Sequence, residues 1–397
     1  MGQVNTVSSA IGQGRDPASL RRHNLRALLR HLHLHGPTSR PGLCEVTGLT
    51  RSTIGDLVGE LLSRELVREE GAPVTVGRGR PPLVVTPHED AYVLGIAVEV
   101  DTIGIGRMNI GGSLLDEESV KHEHVAGDPA ASVRQLTRLI RRRISKANTR
   151  PLALGIAVPG IVDIQDGTIA SAPNLNWRNV RLGEELRRTA GFAEPITVAN
   201  EARLAALAEH RRGAGQNSSD LVYVSAEVGV GGGVINNGET LTGTSGYGGE
   251  IGHMITNPGG RTCRCGGAGC WETEIGADAL LRHAGLTDPA DRHAALADLL
   301  AEAEREDAAA IEALRALCPS VATGLVNLIN IFNPERIILG GLLRSVANQV
   351  GTELDASVRK LHGLNDFPVS IHPAQLGELA PLLGAAEHAV DSFLRQL

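Results

Sequence analysis

The chain has 397 residues, of which 42% are hydrophobic, 21% charged and only 2% aromatic, with a formal net charge of −7. That length exceeds one ordinary domain, and the balance is that of a soluble globular protein whose cores are built from Leu, Val, Ile and Ala. No apolar run reads as a membrane span and the N-terminal MGQVNTVSSAIGQGRDPAS has no signal-peptide core, so the expectation is a cytoplasmic protein without membrane contact.

The charge is unevenly spread. Residues 1–88 hold 11 Arg and no Lys against 7 Asp and Glu, a net +4, whereas residues 89–397 hold 27 basic and 38 acidic side chains, a net −11. A basic head on an acidic body points to a polyanion met by the head alone. A solvated surface of ordinary composition produces the same number, so the elements of the head have to decide.

Residues 1–19 read as a flexible polar arm. From Leu20 a helical period begins, with Leu25, Leu28, Leu29 and Leu32 at i, i+3, i+4 and i+7. His31, His33 and His35 crowd its end; they read as solvated groups near a helix terminus, with metal ligation as the alternative. Leu43 and Val46 fit a second, short helix, and Gly48 supplies a left-handed turn residue after it. Thr50 is the N-cap of a third helix through Ile54, Leu57, Val58, Leu61 and Leu62. Two short helices around a glycine turn have helix-turn-helix geometry, in which Arg51, Ser52 and Thr53 open the recognition helix and meet bases and phosphates. Residues 66–86 read as two strands around a loop, a wing tipped by Arg78-Gly79-Arg80-Pro81, and two arginines suit the electronegative minor groove. The expectation for residues 20–88 is a winged helix-turn-helix that binds operator DNA; a three-helix packing module without a DNA role is the plainer alternative.

From about residue 89 short β-branched runs alternate with helical stretches at 130–147, 201–211, 275–284 and 308–331, many ended by glycine pairs. This is an α/β pattern with more than one sheet, and ligands of such folds sit beyond the carboxyl ends of strands. One stretch stands apart: GEIGHMITNPGGRTCRCGGAGCWE, Gly249 to Glu272, holds three of the five cysteines. In a reducing compartment such a group binds metal or reacts more readily than it forms disulfides. Cys44 and Cys318 read as plain core residues.

That stretch closely resembles the signature of the ROK family, sugar kinases and sugar-responsive repressors with a two-lobed actin-like, ribonuclease-H-like fold: GEIGH, a glycine loop, CxCGxxGC and a following Glu. The resemblance covers essentially the whole chain once the winged head is included. It implies a first lobe at about 89–200 plus a C-terminal helix 377–397, and a second lobe at about 201–376. His253, Cys263, Cys265 and Cys270 are one nitrogen and three sulfurs, a closed four-coordinate set that suits one structural zinc per chain, against unpaired thiols or a redox switch as alternatives. By position in the family, Glu250, His253 and Glu272 hold sugar hydroxyls, with the second imidazole nitrogen free of the metal. Asn200 matches the family's sugar-contacting Asn-Asp pair, Glu201 replaces its catalytic Asp and is expected to contact the sugar beside Asn200, and Gly160 in VPGIVD matches a sugar-side turn.

The chain departs from the kinases where phosphate is handled. The first turn, Asp-x-Gly-Gly-Thr in kinases, has Ala97, Glu99, Val100 and Asp101 across those positions; the second, Gly-Thr-Gly, reads Glu227-Val228-Gly229. Carboxylates there repel a phosphate that bare amides would cradle. Only Gly340-Gly341, near the adenosine position, remains. The expectation is a sugar-responsive DNA-binding regulator, a repressor without kinase activity, with a monosaccharide or derivative as effector. Half-site reading implies a homodimer or homotetramer, for which 308–331 is a candidate joining segment. An active sugar kinase with a fused head, Glu201 its base, is the alternative; a zinc sensor fails because the metal set is closed.

Overall fold

In this computed structural model residues 16–71, 83–123, 125, 127–147, 149–287, 289, 291–363 and 368–397 are described. They form two compact units, one of the residues up to Ala91 with Phe393–Leu397, the other Tyr92–Ser392.

The first unit runs α1 (Pro17–His35), β1 (Thr38–Ser39), α2 (Arg40–Thr47), α3 (Arg51–Ser63), β2 (Val67–Gly71) and β3 (Leu83–Pro87). Helix α1 starts at Pro17, three residues ahead of Leu20, because proline's fixed φ suits the first helical position. Its Leu25, Leu28, Leu29 and Leu32 are buried with Leu43, Ile54, Leu57, Val58, Leu61 and Val85. Gly48 ends α2 at φ 68, and the Thr50 side chain accepts from the Thr53 N–H to cap α3. Strands β2 and β3 pair antiparallel from Val67 opposite Pro87 to Gly71 opposite Leu83, and β1 adds to the free side of β3. The Arg40 guanidinium grips both carboxylate oxygens of Glu69 at 2.7 and 2.9 Å, tying α2 to β2. Arg78 and Arg80, expected at the tip between β2 and β3, lie outside the described residues. Cys44 is only half-buried, not the core residue expected, because it lies off the Leu43 face of α2.

The second unit opens with β4 (Tyr92–Val98), β5 (Thr102–Asn109), β6 (Leu114–Lys121), α4 (Pro129–Ala147), β7 (Leu154–Val158), β8 (Ile161–Val162), β9 (Ile169–Ala172), β10 (Trp177–Val180), α5 (Leu182–Ala190) and β11 (Ile196–Asn200). It continues with α6 (Glu201–Arg212), β12 (Leu221–Ala226), β13 (Val230–Asn236), β14 (Glu239–Thr240), α7 (Trp271–Ile275), α8 (Ala277–His283), α9 (Arg292–Glu304), α10 (Ala308–Phe332), β15 (Arg336–Gly341), α11 (Leu342–His362), β16 (Ser370–Pro373) and α12 (Ala380–Gln396). Two five-stranded sheets have one topology. In β11-β7-β4-β5-β6 and in β16-β15-β12-β13-β14, an antiparallel meander is extended by two parallel strands on the side of its first strand. The expected α/β class is therefore observed.

Each sheet has its own core. Tyr92, Leu94, Ile96, Leu136, Trp177 and Leu186 fill the first, under α4 and α5; Trp271, Leu314, Leu325, Ile337 and Val346 fill the second, with α7 to α11. Helices α6 and α12 pack on the first sheet through Leu204, Leu207, Leu382 and Ala385 against Ala97, Ala157 and Ala199. The C-terminal end of α6 is clamped to the middle of α12 by Arg211 and Arg212, both paired at 2.8 Å with the fully buried Glu387. Helix α10 is long and apolar enough, by length and composition, to cross a membrane, which corrects the expectation that no run approaches that size. Half of its most apolar window is buried inside the unit, as in a core helix. The expected helix at 275–284 is broken at Gly276, whose extended backbone separates α7 from α8.

Candidate functional site

Strand ends build the site. Asn200 closes β11 and caps α6, its Oδ1 accepting from the Arg203 N–H at 3.0 Å while its Nδ2 donates to the Gly160 carbonyl at 2.9 Å. Two of the expected sugar residues are thereby joined. On the other wall, Glu250 precedes a single 3-10 turn, Ile251–His253, that brings His253 Nε2 to 3.8 Å from its carboxylate. Burial raises the Glu250 carboxyl, the nearby His253 ring and Arg203 guanidinium oppose the rise, and Glu272 adds to it. Glu272 is less available than expected. Its Oε2 accepts from the Val230 N–H at 3.1 Å, and its Oε1 lies 3.3 Å from the Cys263 sulfur.

The cysteine loop folds into a knuckle. Cys263 N–H bonds the Gly267 carbonyl at 2.8 Å, Gly269 N–H bonds Arg261, and residues 255 and 270 form an antiparallel bridge. Gly269 takes φ 77 with no room for a side chain, since a Cβ would lie 1.8 Å from the Asn257 carbonyl oxygen. The His253, Cys263, Cys265 and Cys270 ligand atoms all lie within 4.8 Å of one another. Zn–S bonds of about 2.3 Å in a tetrahedron set ligand atoms about 3.8 Å apart. Cys265 and Cys270 sulfurs stand at 3.7 Å, and Cys263 Sγ to His253 Nδ1 at 3.8 Å, so the residues fit. A metal held there would take Nδ1, the nitrogen nearer Cys263, and leave Nε2 toward Glu250. Backbone N–H groups of Cys265 and Gly267 point at the Cys263 and Cys265 sulfurs, which favours thiolate. Against that, burial with Glu272 alongside pushes the Cys263 thiol up to about 12. A resident dication reverses that balance outright.

The third group is acidic. Glu99 follows β4, Glu201 opens α6 and Glu227 follows β12, so all three stand at the carboxyl ends of strands. Glu201 is half-buried, and burial, then the charges of Glu227 and Glu99, raise its carboxyl to about 8. Glu227, exposed at the lip yet walled in by its neighbours, is raised too, chiefly by lost hydration and by Glu99. Glu99 accepts from the Thr102 hydroxyl at 2.6 Å and is raised by burial, with Glu378 and Asp101 adding. The basic group that acts on Glu99 and Glu227 is the His293 imidazole of α9, itself 3.6 Å from Asp101. A phosphate placed here would meet carboxylates.

Arg203 was missed by sequence reasoning. It is buried on the first turn of α6, and its guanidinium donates to the Gly246 carbonyl at 3.1 Å. Its signal in the sequence is a lone arginine inside ARLAALA, where every other residue is Ala or Leu.

In the first unit, Arg51 and Ser52 are exposed and Thr53 is half-buried at the start of α3. The Ser52 and Thr53 hydroxyls turn back to Thr50 Oγ1 at 3.0 and 2.9 Å. Arg51 makes no hydrogen bond or ion pair among the described residues.

Residues 100–391 match the ROK family. The xylose repressor of Bacillus subtilis (strain 168) is 31% identical over 387 residues, 96% of this chain and 98% of its own. A glucokinase of Streptomyces coelicolor is 30% identical over 317 residues, 75% of this chain and 98% of its own. Among solved structures, a ROK family transcriptional regulator described as a homologue of the E. coli MLC protein superposes with TM-score 0.78 at 23% identity, over 95% of this chain and 98% of that one, a likeness of fold.

Proposed function

The chain belongs to the ROK family, and on that premise we propose that it is a sugar-responsive DNA-binding repressor. The observation that carries this reading is the end-to-end similarity to a xylose repressor, which includes the N-terminal unit that the family match leaves out. Its three helices and the β2–β3 pair support reading that unit as a winged helix-turn-helix. Arg51 projects from the capped start of α3, where a recognition helix meets the major groove. Operator DNA is the partner that its basic composition suits.

The effector is a monosaccharide held in the second unit. Asn200 and Gly160 supply one edge, Glu250 and the Nε2 of His253 the other, with carboxylates accepting from hydroxyls. Glu272 buttresses the knuckle and the Val230 turn. One zinc on His253, Cys263, Cys265 and Cys270 is structural, fixing the ring whose far nitrogen faces the ligand. Glu99 and Glu227 stand where the family's kinases cradle phosphate and Glu201 stands in for their catalytic Asp, which supports loss of kinase activity. A ligand changes DNA affinity only through unequal binding to two states of the protein, so the effector has to favour one arrangement of this unit.

The test is a titration of the full chain onto labelled DNA from upstream of its own gene at fixed salt, followed by fluorescence anisotropy. D-xylose, D-glucose and N-acetyl-D-glucosamine are added in turn, each with its phosphate ester. Specific binding altered by one sugar is the expected result. Absence of specific DNA binding, together with sugar-dependent ADP release from ATP, would replace this reading by the kinase one.

A further inference from the structure

We propose that Arg203 is the positioning residue of the sugar cleft, holding the glycine loop Gly243–Gly249 and the Glu250 carboxylate in the arrangement that receives a sugar hydroxyl; this rests on the sugar-binding reading above. The guanidinium is buried, with 6% of the residue exposed. Removing such a cation from water costs several kcal/mol unless its surroundings answer it. Two neighbours do. One terminal nitrogen donates to the Gly246 carbonyl at 3.1 Å, and the charge of nearby Glu250 favours the cation through space.

The Gly246 peptide is a pivot. It has φ 85, and a Cβ there would sit 2.2 Å from Ile164 Cγ2 and 2.7 Å from the Val162 carbonyl oxygen. The loop is therefore wedged against the segment that follows β8, and Arg203 holds it from behind. The helix bearing Arg203 has no slack either: a side chain on Gly233 of β13 would touch Arg203 Cα at 3.0 Å. Four residues, Asn200 to Arg203, thus link three pieces of the cleft. Asn200 ties the Gly160 turn to the helix cap, and Arg203 ties the same turn of helix to the loop that leads into Glu250. A short run at the start of α6 sets both edges that meet the ligand.

The test uses the zinc-loaded full chain and two variants, Arg203→Met and Arg203→Lys. Hydrogen exchange read by mass spectrometry, without sugar, is expected to show the amides of residues 243–250 exchanging at least tenfold faster in R203M, with those of 263–270 unchanged and R203K close to wild type. Calorimetric titration with D-xylose, D-glucose and N-acetyl-D-glucosamine is expected to show at least a tenfold loss for R203M of whichever affinity the wild type has, largely recovered in R203K. Unchanged exchange in the loop overturns the proposal, as does a wild-type sugar affinity in R203M. Equal damage in both variants with faster exchange throughout the unit also overturns it, since the role is then one of general stability. If the wild type binds none of the sugars but the loop loosens as described, the positioning stands and the sugar-binding reading is what fails.

Discussion

His253 Nε2 lies 3.8 Å from the Glu250 carboxylate, while Nδ1 of the same ring lies 3.8 Å from the Cys263 sulfur. The imidazole therefore stands between the cysteine knuckle and the Glu250 side of the proposed sugar cleft. Removal of zinc is expected to abolish sugar binding while leaving sugar-free DNA affinity within about twofold, because the first unit takes no residue from the knuckle. The measurement is released zinc, counted with a chromogenic chelator, alongside calorimetric sugar titration. Cys265→Ser is expected to copy chelation. Full sugar affinity in zinc-free protein would separate the knuckle from the cleft.

Glu201 titrates at about 8 in the folded chain, above the ordinary value of about 4.5, so the folded state holds a proton that the unfolded state has given up between those limits. Stability contributed at this site therefore falls as pH rises from about 5 to 8. Glu201→Gln is expected to be more stable than wild type by about 1–2 kcal/mol at pH 8.5, allowing for solvent access to the cleft, with the gap closing by pH 5. Urea midpoints for the pair across that range decide it. A gap independent of pH would mean that neither burial nor the charges of Glu227 and Glu99 raise the group.

Restoring the catalytic residue type is expected to be insufficient for phosphoryl transfer. Glu201→Asp retracts the carboxylate by one methylene but leaves Glu99 and Glu227 facing the phosphate position. Carboxylates there still repel a phosphate that bare amides would cradle, whatever the length of the side chain at 201. A coupled ADP assay with glucose or xylose should read background for both wild type and E201D. Sugar-dependent turnover in either would revive the kinase reading.

Arg51 carries the prediction for the head. Ser52 and Thr53 spend their hydroxyls on Thr50, and Arg51 is the cation at this helix start that makes no ion pair among the described residues. Arg51→Ala is expected to weaken operator binding by about 1–3 kcal/mol if it reads a base, or to lower the salt slope by about 1 if it meets a phosphate. Anisotropy titrations at several salt concentrations distinguish the two. Unchanged affinity and slope would take α3 out of the groove.

Much of this was legible beforehand, and what was not has physical causes. The Leu25–Leu32 stripe, the Gly48 turn and the Thr50 cap are local devices that the sequence spells out, and the cysteine spacing specifies the knuckle almost alone. Strand β6, LLDEESVK, was invisible because it is a sheet edge with one wet face and a charged sequence. Edge strand β16 hides for a similar reason, carrying Pro373 at its end. Arg203 escaped because α6 is buried along most of its length, leaving no polar face against which a buried arginine would look misplaced. The acidic convergence of Glu99, Glu201 and Glu227 could be listed by position, but the mutual effect on their protons required the fold.

The knuckle's anchor supplies the last prediction. Trp271, next to Cys270, is fully buried, and its Nε1 donates to the Ser320 carbonyl of α10 at 2.9 Å. The ring lies on Gly324, where a Cβ would come within 2.0 to 2.5 Å of three ring atoms. Two effects compete in Gly324→Ala. Helix propensity favours alanine by about 1 kcal/mol in a helix interior, whereas overpacking against a rigid, enclosed ring costs typically about 1–3 kcal/mol. Contacts this short put the second effect ahead, because a buried indole has no room to swing aside and its N–H bond would be lost with it. G324A is expected to melt lower than wild type and to release zinc faster to a competing chelator, since the displaced Trp271 carries Cys270 with it. A thermal midpoint equal to or above wild type, with unchanged zinc retention, would show that α10 shifts to accommodate the methyl and that the knuckle does not depend on this contact.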